Sequence, residues 1–145
     1  MKKVLCVICF ITISFSIFAL PPGLTDKPID QLMGYIGKPV PSDFTTRNKG
    51  QSYNKDFGDG NTGYYVTLVP LKDLINSVVF VWYTKDAPKR DAIWKEIVDL
   101  MNSQKLESVP TSKDTELKWK YNDKQSFELK QSSNSKWYRC ELSLK

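Results

Sequence analysis

Histidine is absent from this 145-residue sequence, and only three cysteines occur in it. Without an imidazole, Ser–His and Cys–His nucleophile pairs are excluded, and so is haem ligation through histidine. The usual zinc sites need histidine or several cysteines. Cys6 and Cys9 lie in the first ten residues, so beyond residue 19 only Cys140 remains. A domain with one thiol closes no intrachain disulfide and builds no thiolate cage. Long runs of positive charge are missing as well, since no stretch of Lys and Arg exceeds two residues. The 19 basic and 16 acidic residues after position 19 leave a net charge of +3 there, against +5 for the whole chain. Nucleic acid is therefore not expected as a partner, although a mild attraction to anionic surfaces fits this balance. No metal or cofactor is expected.

Long apolar runs are confined to the start, MKKVLCVICFITISFSIFALPPG. Lys2 and Lys3, an uncharged run over 4–20 and the Pro21-Pro22-Gly23 break have the order of a secretory signal peptide, with a cut after Ala19. A retained anchor is the rival reading. The run counts 17 residues, at the lower edge of a membrane span, and Thr12, Ser14 and Ser16 dilute it. The expectation is a signal peptide over 1–19 and a single exported α+β domain over 20–145. That domain would be periplasmic or secreted, with no stable membrane insertion after cleavage. Its 126 residues suffice for a core without covalent staples.

In the exported part, Ile29, Leu32, Met33 and Ile36 share one face of a short helix, with Thr25 or Asp26 to cap it and Gly37 to stop it. Residues 38–62 show no sustained period and read as a long loop, with Phe44, Tyr53 and Phe57 to pin it or to meet a partner. Segments 64–69 and 78–84 are β-branched and aromatic, which predicts strands. Both faces of each are apolar, so they should sit centrally with cover on two sides, joined by a connection over 70–76. Residues 86–104 form the main helix, with Ile93, Trp94, Ile97, Leu100 and Met101 as its buried stripe. Asp86 caps it, and Asp91, Lys95 and Asp99 pair on the wet side.

The tail reads as a three-strand meander, ELKWKYN, QSFELKQ and KWYRCELSL. Alternation turns Leu117, Trp119, Tyr121, Phe127, Leu129, Tyr138, Cys140, Leu142 and Leu144 inward. The expected register sets Trp119 opposite Phe127 and Phe127 opposite Cys140. It aligns Lys118, Glu128 and Arg139 in one outer row, with Lys130 opposite Trp137. The fold class is α+β, in the order α-β-β-α-β-β-β, with an antiparallel sheet of about five strands packed against the one main helix.

The hexapeptide GDGNTG, 58–63, has the glycine spacing of a dinucleotide-binding loop. In that loop a strand delivers the glycines to a helix N-terminus, which binds the pyrophosphate. Here a loop precedes and a strand follows, and Asp56 and Asp59 would repel phosphate. Tyr65 stands where the kinase-type version needs valine, and the spacing lacks the alternate oxygen ligands of a calcium loop. The segment reads as a turn.

Without histidine, the surviving enzyme hypothesis is a carboxylate pair about 5–10 Å apart. Asp43, Asp56, Asp59, Glu107, Asp114, Glu128 and Glu141 are the candidates, and only Asp56, beside Phe57, has an apolar neighbour of the kind that raises an acid's pKa. No catalytic residue is assigned. Cys140, on an inward position, reads as a small hydrophobe. The outer face of the meander carries Lys118, Lys120, Lys130, Trp137 and Arg139. With Tyr53 and Phe57 of the loop, these are the candidate partner-binding residues, because tryptophan and arginine dominate binding hot spots. The plainer reading is a solubilising face on which Trp137 shields lysine methylenes.

The expectation that follows is a small, exported, non-catalytic binding module. It would recognise another macromolecule, above all a protein, in the cell envelope or outside the cell, as an inhibitor, immunity-type or accessory protein. One alternative is a carboxylate-dependent hydrolase of cell-wall polysaccharide. Another is binding of a small apolar ligand between sheet and helix, near Trp82, Trp94 and Met101.

Overall fold

In the computed structural model, which describes residues 20–145, the β-branched and aromatic residues of 62–84 form the two longest strands. The expected signal segment, 1–19, lies outside the described residues. The elements run α1 (Pro28–Met33), β1 (Thr45–Arg47), a 3-10 turn (Asn48–Gly50), β2 (Ser52–Asp56), β3 (Thr62–Leu71) and β4 (Leu74–Thr84), then α2 (Ala87–Ser103), β5 (Glu107–Val109), β6 (Glu116–Lys120), β7 (Ser126–Ser133) and β8 (Tyr138–Leu144). All strands pair antiparallel in one eight-stranded sheet of order β1-β2-β3-β4-β8-β7-β6-β5. Two four-strand meanders thus meet along the β4–β8 seam, and α2 links them across one face.

The α+β class, the antiparallel sheet and the main helix are as expected. The strand count is eight rather than five, and the order is α-β-β-β-β-α-β-β-β-β. The additions are short. β1 is exposed along its whole length, and β5 has three residues at the other edge, so neither carries an apolar alternation to read. β1 and β2 turn part of the expected 38–62 loop into the margin of the sheet, a location where short polar strands discourage pairing with other chains. The 70–76 connection is also largely strand. Leu71 pairs with Leu74 around a two-residue turn whose Lys72 has φ 59°, and an irregularity at Val69/Pro70 accommodates a residue that has no N–H to donate.

Helix α2 begins at Asp86, whose carboxylate accepts the Lys89 N–H at 3.4 Å. Ile93, Ile97, Leu100 and Met101 are buried, while Trp94 packs half-buried at the rim. Lys95 pairs with Asp99, but Asp91 pairs with its neighbour Arg90. Helix α1 has Lys27 at its start with no side-chain cap, and Thr25 instead accepts the Lys27 N–H. Against the two helices the sheet presents Val66, Leu68, Phe80, Trp82, Phe127, Leu129, Leu142 and Leu144, all buried. Each such side chain contributes about 1.5–3 kcal/mol relative to exposure. The indole N–H groups find acceptors, Trp82 on the Pro22 carbonyl (2.8 Å) and Trp119 on Asn102 (3.1 Å).

In the C-terminal meander Trp119 lies opposite Phe127, as expected. The second hairpin differs: Phe127 faces Leu144, and Cys140 faces Gln131. The cause is Asn134, whose side-chain oxygen accepts the N–H groups of Lys136 (2.9 Å) and Trp137 (2.8 Å), so the chain reverses two residues later than expected. The slip is even, so inward residues stay inward. It does change the outer rows. Glu128 faces Ser143 instead of Arg139, Lys130 faces Glu141 instead of Trp137, and Arg139 faces Ser132. Tyr121 is not inward; it lies just past β6, 38 % exposed and edge-on to Phe127. On the sheet face away from α2, no helix covers β4 among the described residues. Val81 and Tyr83 are nevertheless buried there, Val81 between Tyr65 and Glu141 of the flanking strands.

Candidate functional site

On the face away from α2, pairing places Asp56 beside Tyr65, and Tyr83 beside Arg139, across the β4–β8 seam. The alternation that sends Phe80 and Trp82 into the core sends Tyr83 to this face. Its hydroxyl donates to Asp56 Oδ1 at 2.9 Å, and the same oxygen accepts the Gly58 N–H at 2.8 Å. Residues 57–61 are the turn between β2 and β3, with Thr62 and Gly63 of the hexapeptide already in β3, and Asp59 closes it by accepting the N–H groups of Asn61 and Thr62. A Cβ at Gly58 would lie 1.7 Å from the Tyr83 hydroxyl, and one at Gly63 would lie 2.3 Å from Gly58 Cα. The glycines are there so that the turn can fold down over a phenol.

The β7–β8 turn brings Trp137 to the same spot. Its ring meets Tyr83 edge-on at 5.5 Å, and the Lys85 ammonium lies 5.0 Å from its centre. Asp56, Gly60, Tyr65, Tyr83, Trp137 and Arg139 line an open depression of about 230 Å³. A neighbouring hollow of about 460 Å³ shares Asp56 and Tyr65 and adds Asp43, Thr45, Arg47, Asn54 and Lys55. Two buried polar atoms on this face, Arg139 Nε and Asn54 Oδ1, have no hydrogen-bond partner among the described residues. Such atoms carry unspent bonding capacity.

Burial, reinforced by the bond to Asp56, pushes the Tyr83 phenol up to about 12. Burial also raises Tyr65, against the opposing pull of Arg139. Both hydroxyls are therefore neutral at physiological pH. Asp43 is held below the ordinary carboxylate range by its ion pair with Lys55, and Asp59 by the N–H groups of Thr62 and Asn61. An acid so depressed does not donate a proton at neutral pH. The arrangement combines aromatic walls, phenol hydroxyls, one guanidinium and one carboxylate, a set suited to recognition.

Of the residues selected from sequence, Trp137 and Arg139 come together here. Lys118, Lys120 and Lys130 lie on β6 and β7 and are taken up in ion pairs, Lys118 and Lys130 with Glu128, Lys130 also with Glu116, and Lys120 with Asp123. Tyr53 sits opposite Leu68 and packs half-buried against the core. Phe57 is exposed at the β2–β3 turn and stacks on Tyr64 at 4.7 Å. Tyr65, Tyr83 and Asp56 were not selected as partner-binding residues, although the period of two along each strand separates the two tyrosines from the core face. Trp82 and Met101, considered for an apolar ligand, are fully buried in the core. Among the described residues no group of three or more carboxylates and thiols is placed to hold a metal ion. No protein-family model, curated protein or solved structure matches the chain.

Proposed function

We propose that this chain is an exported, non-catalytic binding module that recognises another macromolecule, foremost a protein, in the cell envelope or outside the cell. The observation that carries the reading is the depression walled by Trp137, Tyr83, Tyr65 and Arg139 on a sheet face that no helix covers among the described residues. At about 230 Å³ it is smaller than the roughly 300–1,000 Å³ of small-molecule pockets. That size suits one inserted side chain of a larger partner. Arg139 and the phenols favour an inserted group that accepts hydrogen bonds, and the Trp137 ring supplies the apolar contact.

The test is affinity capture from native envelope extract with the wild type and a Trp137→Ala/Arg139→Glu variant, each partner's affinity then being measured. Loss of two central contacts should weaken binding by about 30-fold or more. A variant that keeps every partner at wild-type affinity refutes the assignment of this surface. A polysaccharide hydrolase has one observation in its favour, since Asp43 and Asp56 both line the larger hollow. It predicts that Asp56→Asn abolishes cleavage of cell-wall polysaccharide while leaving binding intact.

A further inference from the structure

Exposed apolar side chains and unpaired cations gather at the end of the sheet opposite Trp137. The β3–β4 hairpin runs past its neighbours there, because β2 joins β3 only up to Leu68 and β8 joins β4 only from Val78. Beyond those points the Gly37–Lys38 backbone makes two bonds to Ile75 on one side, and on the other the Ser77 hydroxyl donates to the Leu144 carbonyl at 2.9 Å. Its tip carries Leu71, 64 % exposed, and Leu74, 48 % exposed, with Val69 behind them. Tyr121 is exposed at the same end, so four of the six large hydrophobic side chains exposed among the described residues collect here.

The charge follows the same geography. Lys72 is at the hairpin tip and Lys38 is beside it, Arg47 and Lys49 are at the 3-10 turn, Lys124 is in the β6–β7 turn, and Lys105 follows α2. All six are exposed, and among the described residues none is in an ion pair. Asp73 and Glu107 are the acids at this end outside ion pairs, so six cations face two carboxylates, a net of +4. Residues 20–145 together carry only +3. The rest of the surface is close to neutral.

We propose that this end rests on an anionic membrane surface, with Leu71 and Leu74 entering the headgroup layer and the ring of lysines and arginine facing acidic phospholipid. Apolar tips flanked by cations are the arrangement that interfacial binding requires, since hydrophobic burial and attraction to anionic lipid add. The positive ring selects a negatively charged surface. The apolar tip separates a lipid layer from a merely acidic polymer, which would have no use for exposed leucines. Seated this way, the nine residue steps of β4 from Leu74 to Tyr83 hold the Trp137 depression about 30 Å from the lipid. The inference does not depend on what occupies that depression.

The test is flotation of the full chain with vesicles of phosphatidylcholine, alone and mixed with phosphatidylglycerol. All variants share the N-terminal apolar run, so the quantity read is the preference for anionic over neutral vesicles. Lys72→Glu/Lys124→Glu should cut that preference roughly 25-fold or more, at about fivefold per cation lost. Lys89→Glu/Lys136→Glu makes the same charge change at the opposite end and should cost less than about fivefold. Leu71→Ser/Leu74→Ser, at exposed positions, should leave binding that salt abolishes. Equal losses in the two charge-reversed pairs, or equal wild-type binding to both vesicle types, overturn the proposal. So does a photo-crosslinker at Leu71 that captures protein and no lipid.

Discussion

Replacing Tyr83 with phenylalanine removes one oxygen at the point where the β2–β3 turn meets the seam. In the wild type that hydroxyl is buried and donates to Asp56 at 2.9 Å. A hydrogen bond to a charged group contributes about 1.5–3 kcal/mol. Asp56 is exposed and keeps the Gly58 N–H, so water readily replaces the lost donor and the cost should fall at the lower end, about 1.5 kcal/mol. Urea denaturation gives that difference directly. Alkaline titration gives an independent reading. Tyr83 ionises only at about 12, above the ordinary tyrosine value of 10.0. A folded-state pKa raised in this way contributes stability below about pH 10, and that contribution is lost as the pH rises through about 12. Of the seven tyrosines, the wild type should show a late phenolate step that Tyr83→Phe lacks, and the variant should lose less stability across the same interval. Tyr65 is raised as well, so the comparison is between the two curves: an alkaline titration that Tyr83→Phe leaves unchanged, or a stability change near zero, would refute the bond to Asp56.

Two further outcomes follow from the interior and from the charged rows. Burial raises the Glu128 carboxyl, but the Lys145 and Lys130 ammonium groups outweigh it and hold the pKa below its ordinary value of 4.5. The stability this provides is present above about pH 4.5 and disappears as the pH falls through the folded-state value. Glu128→Gln should therefore cost about 1–2 kcal/mol at neutral pH and flatten the acid limb of the stability curve, as read by denaturation at a series of pH values. Burial pushes the Cys140 thiol up to about 12. A thiol-reactive disulfide reagent should leave Cys140 untouched in the native protein at neutral pH and label it as fast as the chain unfolds.

The elements legible in the sequence were those whose burial imposes a period. Ile93, Ile97, Leu100 and Met101 mark α2, and Phe127, Leu129, Leu142 and Leu144 mark the inner face of the tail. β1 and β5 escaped because edge strands bury little and show no alternation, and β2, the next strand in, escaped because its residues Ser52–Asp56 are polar apart from Tyr53. The register of the last hairpin depended on which residue closed its turn. Ser133 and Asn134 look equally good as turn formers, and only the Asn134 bonds to two successive N–H groups decide between them. Trp137 and Arg139 were visible because they lie among charged residues. Tyr83 and Tyr65 were not, because a strand apolar on both faces reads as wholly buried and conceals which face meets solvent. Asp56 drew notice as a carboxylate beside the glycines and Phe57 and not as a partner of Tyr83, because their bond joins residues 27 positions apart.

The walls of the Trp137 depression come from both meanders: Asp56, Tyr65 and Tyr83 from the first, Trp137 and Arg139 from the second. Neither half owns the cavity, which comes into being only when the two are zipped together. Whatever lodges there clasps the halves to each other, so occupancy should raise the chain's resistance to unfolding in proportion to the logarithm of partner concentration. A melting shift thereby becomes a way to recognise the right partner without knowing its chemistry in advance.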